Sequence, residues 1–229
     1  MKSSTIFLLL AAMTAAASDY TLTVQDFSEL RVVDGVNVIY KESADSAGTV
    51  RFSADGDLAS KLTFTNHKDR LTIQTLADET PIPGMPTVTV YSNGVSLIQN
   101  DGDSLTTVTL KTPVINLKIK QIGNGAIDVR GISADRLEAT IATGCGKIDL
   151  QGKAKEAKYS NIGTGRLDAG DVEAGKVSAF IMGSGPVEVF TDGELTAKGI
   201  GPGRVLYVGT PSKIRNRSLG VRIITLAEE

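Results

Sequence analysis

Apolar and polar residues alternate in short runs along nearly the whole chain, and no window beyond the first residues carries an apolar stripe at helical spacing. Leu71-Thr-Ile73-Gln and Val88-Thr-Val90-Tyr show the two-residue period most clearly. The pattern predicts strands over Phe27–Val33, Val36–Lys41, Thr49–Ala54, Lys61–Asn66, Leu71–Thr75 and Thr87–Tyr91, each rich in β-branched or aromatic residues. Asp34-Gly35, Asp55-Gly56, Lys68-Asp69 and Asn93-Gly94 supply turns between them. The segment from Asp78 to Pro86 holds three prolines and reads as a loop that cannot pair on both sides. The expectation is an all-β chain.

Beyond residue 120 the pattern becomes a repeat. Gly123-Asn-Gly125, Gly144-Cys-Gly146, Gly163-Thr-Gly165, Gly183-Ser-Gly185 and Gly201-Pro-Gly203 each precede an alternating apolar run, at intervals of 21, 19, 20 and 18 residues. A period near twenty, with a glycine turn and strand residues in each unit, predicts stacked rungs. Counted back from the first glycine, the fourth and sixth residues are apolar or small: Ile119 and Leu117, Tyr159 and Ala157, Ala179 and Val177, Ala197 and Leu195. The unit before Gly144 fits with one extra residue, which makes Leu137 and Ala139 the equivalents and implies a bulge. After each turn, Ile127/Val129, Ile148/Leu150, Leu167/Ala169, Val187/Val189 and Val205/Tyr207 are expected to point inward.

The fold class expected is therefore an N-terminal sheet of longer strands (residues 18–99) leading into a right-handed parallel β-helix. The solenoid has about five to six rungs of about 20 residues (100–208) and a polar C-terminal cap (209–229). Asn100 to Val108, around Asp101-Gly102-Asp103, reads as a degenerate entry rung.

These parts, in this order, resemble the head-GIN domain family of putative auto-transporter adhesins. The resemblance rests on Val32-x-Asp34-Gly35-Val36-x-Val38-x-Tyr40, on Arg70-Leu71-Thr-Ile73, and on the Gly-x-Gly-x-apolar-acid units that end in Tyr207-x-Gly209-x-Pro211. The family pattern has Ser between the glycines, and here only Ser184 keeps it, with Asn124, Cys145, Thr164 and Pro202 elsewhere. The resemblance implies an exported bacterial β-protein and assigns no activity to individual residues.

The N-terminus agrees with export. Lys2, the apolar run Ile6 to Met13 and Ala15-Ala16-Ala17 form a signal peptide over residues 1–17, too short to span a bilayer. The expected site of action is the periplasm or the cell surface. The full chain carries a net charge of −2 with no basic run, which argues against nucleic acid as a partner. One cysteine forms no internal disulfide, so core and hydrogen-bonded ladder must hold the protein together.

The acids three positions after the turns, Asp128, Asp149, Asp168 and Glu188, should form a column one rung apart. Such a column is either a strip for a divalent cation or a solvated face neutralised by Lys147, Arg166 and Arg204, and the second reading is preferred. Asp55-Gly-Asp57 and Asp101-Gly-Asp103 continue into no calcium-loop spacing. Cys145 and His67 are the one conceivable thiol–imidazole pair, in different halves of the chain and without a supporting acid or amide. A strand follows every Gly-x-Gly, so these are not phosphate loops. Phe180 and Phe190 fall at outward positions and together suggest a small apolar contact patch. No catalytic, cofactor or metal residues are assigned. The reading is a non-enzymatic envelope or surface module that binds a protein or glycan or self-associates as a homo-oligomer. A polysaccharide-active β-helix enzyme is the alternative.

Overall fold

The computed structural model describes residues 17–76 and 82–226, so most of the expected signal peptide and part of the proline loop lie outside the described residues. In chain order the elements open with β1 (Ser18–Thr23), β2 (Glu29–Val33), β3 (Val38–Glu42) and β4 (Thr49–Ala54). A short helix α1 (Gly56–Ser60) leads to β5 (Leu62–His67), β6 (Arg70–Thr75) and β7 (Val88–Ser92). Next come β8 (Leu97–Asp101), β9 (Leu105–Thr109) and β10 (Val114–Ile122). Three long bent strands follow: β11 (Ala126–Thr143), β12 (Lys147–Gly163) and β13 (Arg166–Gly183). The chain closes with β14 (Pro186–Phe190), β15 (Glu194–Ile200), β16 (Arg204–Val208), β17 (Lys213–Leu219) and β18 (Arg222–Thr225).

The C-terminal part is a parallel β-solenoid of about 6 turns. The inward register read from the sequence holds: Ile127, Ile148, Leu167, Val187 and Val205 all stack in one buried column. The bulge is also present, since Leu117 pairs with Leu137 and Ile119 with Ala139, and the register then slips between Gln121 and Ile122. Each extended rung has three sides. In β12 the buried residues Ile148 and Leu150, then Ala154, then Ala157, Tyr159 and Asn161 are separated by outward pairs at Gln151-Gly152 and Lys155-Glu156. Those pairs are corners. The spacing in the sequence does not reveal the short middle side, because one inward alanine gives no alternation to detect.

The N-terminal strands belong to the same stack, out of sequence order. β2 lies between β6 and β8, and β3 between β7 and β9, all parallel. The first rung made by the chain is thus sandwiched between the second and the third. Antiparallel strands close this end: β1 on β4, β4 on β7 and β5 on β6. Tyr20, Phe52 and Phe64 stack across it with ring centroids 5.0 and 5.8 Å apart, a plug of aromatic surface where the solenoid core would otherwise meet water. Helix α1 was not foreseen. Its one signal is Asp55, whose carboxylate accepts the Leu58 N–H at 2.8 Å as an N-cap.

The residues expected to cap the C-terminus stack as one more rung, β17 on β15 and β18 on β16. The polar signal that suggested a cap comes from its outward arginines and from Asn216 and Ser218, which take the inward positions. Ser218 Oγ donates to Asn216 Oδ1 at 2.5 Å and Asn216 Nδ2 to the Val221 carbonyl at 3.1 Å, so polar groups tie across the mouth of the core.

Buried amides hold the glycine corners from inside. Asn161 Nδ2 donates to the Gly165 carbonyl at 2.7 Å, and Asn100 Nδ2 does the same to Ser104 at 2.7 Å. Each supplies a buried donor to a turn carbonyl, and the Ser104 carbonyl also accepts the Ala126 N–H at 2.9 Å.

Candidate binding surfaces on the solenoid

The predicted acid column exists. Asp128, Asp149 and Asp168 pair in register, and Asp168 pairs with Glu188. Each carboxylate also meets a cation. Arg130 reaches Asp128 at 2.7 Å and Asp149 at 3.5 Å, Lys147 reaches Asp149 at 3.0 Å, and Arg166 bridges Asp168 and Glu188 at 2.9 Å each. Arg204 takes no part in these pairs. Arg130, which the sequence reading did not single out, replaces it from the corner after the first turn. Partial burial pushes the Glu188 carboxyl above its ordinary range, the Asp168 charge adds to this, and Arg166 opposes it. Its hydrogen bond to Asp128 raises the Arg130 guanidinium in turn. Among the described residues no group of three or more His, Cys, Asp or Glu is placed to hold a metal ion.

Cys145 and His67 are far apart. His67 ends β5 at the plugged end, and Cys145 sits in the turn between β11 and β12. Four stacked strands (β6, β2, β8 and β10) separate β5 from β11, so the two residues are five strand spacings apart along the axis, roughly 24 Å. Cys145 Sγ instead contacts Asn124 Oδ1 at 3.2 Å, one turn below it.

Phe180 and Phe190 do not form one patch. Phe180 stands on the outer face of β13 between Ser160 and Lys198, whereas Phe190 pairs with Glu173 at the end of β14. A longer apolar feature lies beside Phe180. Ile162, Met182, Ile200 and Leu219 occupy the last position before each turn, stack in register, and are 37, 49, 60 and 73% exposed. The sequence shows these residues as apolar but gives no sign that the strand turns them outward just before the corner.

A groove of about 680 Å³ lies along the short middle side. Ala134, Ala154 and Ala174 stack in register behind its floor with their side chains turned into the core, and Gly175 and Gly193 lie beyond them. Small side chains on successive rungs leave the sheet recessed between its corners. Charged pairs form the rim: Lys153 with Glu173 and Lys155 with Asp135, each at 2.7 Å and each joining adjacent rungs. Phe190 and Asp192 stand at one end, Pro113 and Val114 at the other. The groove therefore runs along the solenoid axis and offers a narrow floor of strand backbone between lines of mixed charge. No helix among the described residues is long and apolar enough to cross a membrane.

Residues 26–211 match the family described as "Putative auto-transporter adhesin, head GIN domain", and the chain belongs to that family. Its fold is that of several solved structures. A putative adhesin from Bacteroides fragilis aligns with a TM-score of 0.75 at 17% identity, over 92% of this chain and 97% of that one. A putative lipid binding protein from Parabacteroides distasonis gives 0.75 at 19%, over 93% and 98%. A putative adhesin from Parabacteroides merdae gives 0.71 at 19%, also over 93% and 98%. No curated protein matches the sequence.

Proposed function

We propose that this member of the head GIN domain family is an exported, non-enzymatic surface module that holds an extended polymer, a glycan chain in the first instance, along the groove of its short middle side. The observation that carries this reading is the groove itself: a recessed strip of strand backbone, where Ala134, Ala154 and Ala174 turn inward on successive rungs, flanked by Lys153–Glu173 and Lys155–Asp135. A repeating ligand suits a repeating surface, because each sugar or residue along the polymer meets the same floor and the same kind of rim. The amino-terminal signal and the family's adhesin description support export to the envelope, periplasmic or outer.

The enzymatic alternative requires two carboxyl groups converging on one bond, one of them kept protonated. Asp135 and Glu173 are each bound to a lysine, and the Asp192 carboxylate accepts from the Thr210 N–H at 2.7 Å. Among the described residues, the carboxyl raised by its surroundings, Glu188, lies in the acid column and is held by Arg166.

The test is a panel of acidic and neutral polysaccharides, read for binding and for shortened products. Binding to at least one class, weakened more than tenfold by Ser133→Trp or Lys155→Glu without change in the melting temperature, supports the groove. Binding that ignores both substitutions places the ligand elsewhere. Product release, lost on Asp149→Asn or Glu188→Gln, makes the protein an enzyme.

A further inference from the structure

The two ends of the solenoid are finished differently. At the N-terminal end, antiparallel β1 and β5, helix α1 and the Tyr20–Phe52–Phe64 stack cover the core. At the C-terminal end, among the described residues, β17 pairs only with β15 and β18 only with β16, which leaves one backbone edge of each without a strand. The inward positions there remain open: Ile214 is 44% exposed and Asn216 is exposed as well. An uncovered edge of this kind is a template for another strand, and proteins that do not use it blunt it.

The outward charges specify which strand. Along the solenoid, cations on one rung face acids on the next: Lys153 with Glu173, Lys155 with Asp135, Lys158 with Glu138 and Lys176 with Glu156. The last rung breaks this rule. It carries Lys213, Arg215, Arg217 and Arg222, and no acid occurs from Lys213 to Leu226. One acid lies behind them, Glu194, which stands opposite Lys213 in the register and is reached by Arg215 at 3.7 Å, and among the described residues no further rung answers the rest.

We infer that the β17 edge is a docking site for an extended acidic segment of another protein, which adds to the sheet as one further strand. Its acids, at alternate positions, face Lys213, Arg215 and Arg217, and its intervening apolar or hydroxyl residues cover Ile214 and Asn216. Backbone bonds to the edge supply affinity, and the alternating side chains supply selectivity. A second copy of this chain fits poorly. Two β17 edges joined across a two-fold axis set cations against cations. The opposite end is stepped, with β1 lying one strand beyond the layer of β5, so it does not seat flush on β17 and β18 together.

The probe is a nine-residue peptide alternating glutamate with valine and threonine, compared with its glutamine and lysine counterparts by fluorescence anisotropy. The glutamate peptide is expected to bind at least tenfold tighter than the glutamine one and the lysine peptide not at all. Binding should weaken as salt rises. The double variant Lys213→Glu/Arg217→Glu, checked for an unchanged melting curve, should reverse the preference in favour of lysine. Hydrogen exchange on the wild-type protein should show the amides of residues 214–219 slowed by the glutamate peptide, a readout that needs no variant. Equal affinity for all three peptides, or glutamate binding without slowed amides at β17, overturns the inference. So does a concentration-dependent dimer that the double variant abolishes, since the edge would then belong to a second copy.

Discussion

Replacing Gly144 with alanine is the most direct test of why the turns carry glycine. The residue has φ +86°, and an added Cβ would lie 2.4 Å from the Gly123 carbonyl oxygen and 2.8 Å from its carbon, both backbone atoms of the turn below. The left-handed backbone costs an L-residue about 1–2 kcal/mol. Relief of the contact requires two stacked turns to separate, and forced overpacking costs about 1–3 kcal/mol. The two effects together predict a loss of roughly 2–5 kcal/mol. For a chain of this size each kcal/mol moves the melting temperature by about 2–4 °C. Gly144→Asn should fall between wild type and alanine, because asparagine tolerates positive φ but keeps the contact. Gly56→Ala supplies the control: it lies at the first position of α1 with nothing within 4 Å of its added Cβ, and should stabilise by about 0.4–1 kcal/mol. Urea denaturation with constant slope measures all three. If Gly144→Ala matches wild type within 0.5 kcal/mol (about the effect of an ordinary surface change), stacking does not demand the glycines.

Three other outcomes are expected. Millimolar calcium should leave the melting curve unmoved, because every carboxylate of the acid column already faces a cation. A bound ion at a hundred times its dissociation constant would instead add about 2.7 kcal/mol. Stability should fall as pH rises from about 10 towards 12. Burial pushes the Tyr40 hydroxyl from 10.0 up to about 12, so the folded state holds that proton where the unfolded state has lost it. Tyr40→Phe should flatten part of this alkaline slope in pH-dependent melts, with the rest left to Tyr159, which burial shifts the same way. Asn161→Ala should destabilise by about 1–3 kcal/mol in chemical denaturation, since the Gly165 and Pro186 carbonyls lose their buried donor.

The features legible in the sequence are those written in local periodicity. Inward columns, turn positions, the entry rung at Asn100 and even the bulge before Gly144 follow from spacing alone. The acid column was legible for the same reason, while its neutralisation by Arg130 depended on how a corner aims a long side chain. The placement of β2 and β3 inside the stack was not legible, because their partners are chosen by pairing across 40 to 70 residues and every flanking strand offers a similar alternating face. The groove is not legible because Ala134, Ala154 and Ala174 look like ordinary small residues until they turn inward as a third side of the rung. The arginines near the C-terminus suggest a cap in the sequence, but a last rung with outward arginines carries the same polar signal.

The sandwiched first rung has a consequence for how the polypeptide is made. A solenoid built in sequence order can extend from its N-terminus as synthesis proceeds, each new layer landing on a finished one. Here β2 and β3 emerge first and have neither neighbour. One side waits for β6 and β7, completed at Ser92, and the other for β8 and β9, completed at Thr109. Until about half of the polypeptide has been released, the nascent chain holds a pair of strands with two bare edges. The interval between residues 42 and 109 is therefore the window in which a chaperone matters most, and a ribosomal pause or a truncation inside it would leave the most adhesive intermediate this chain can form.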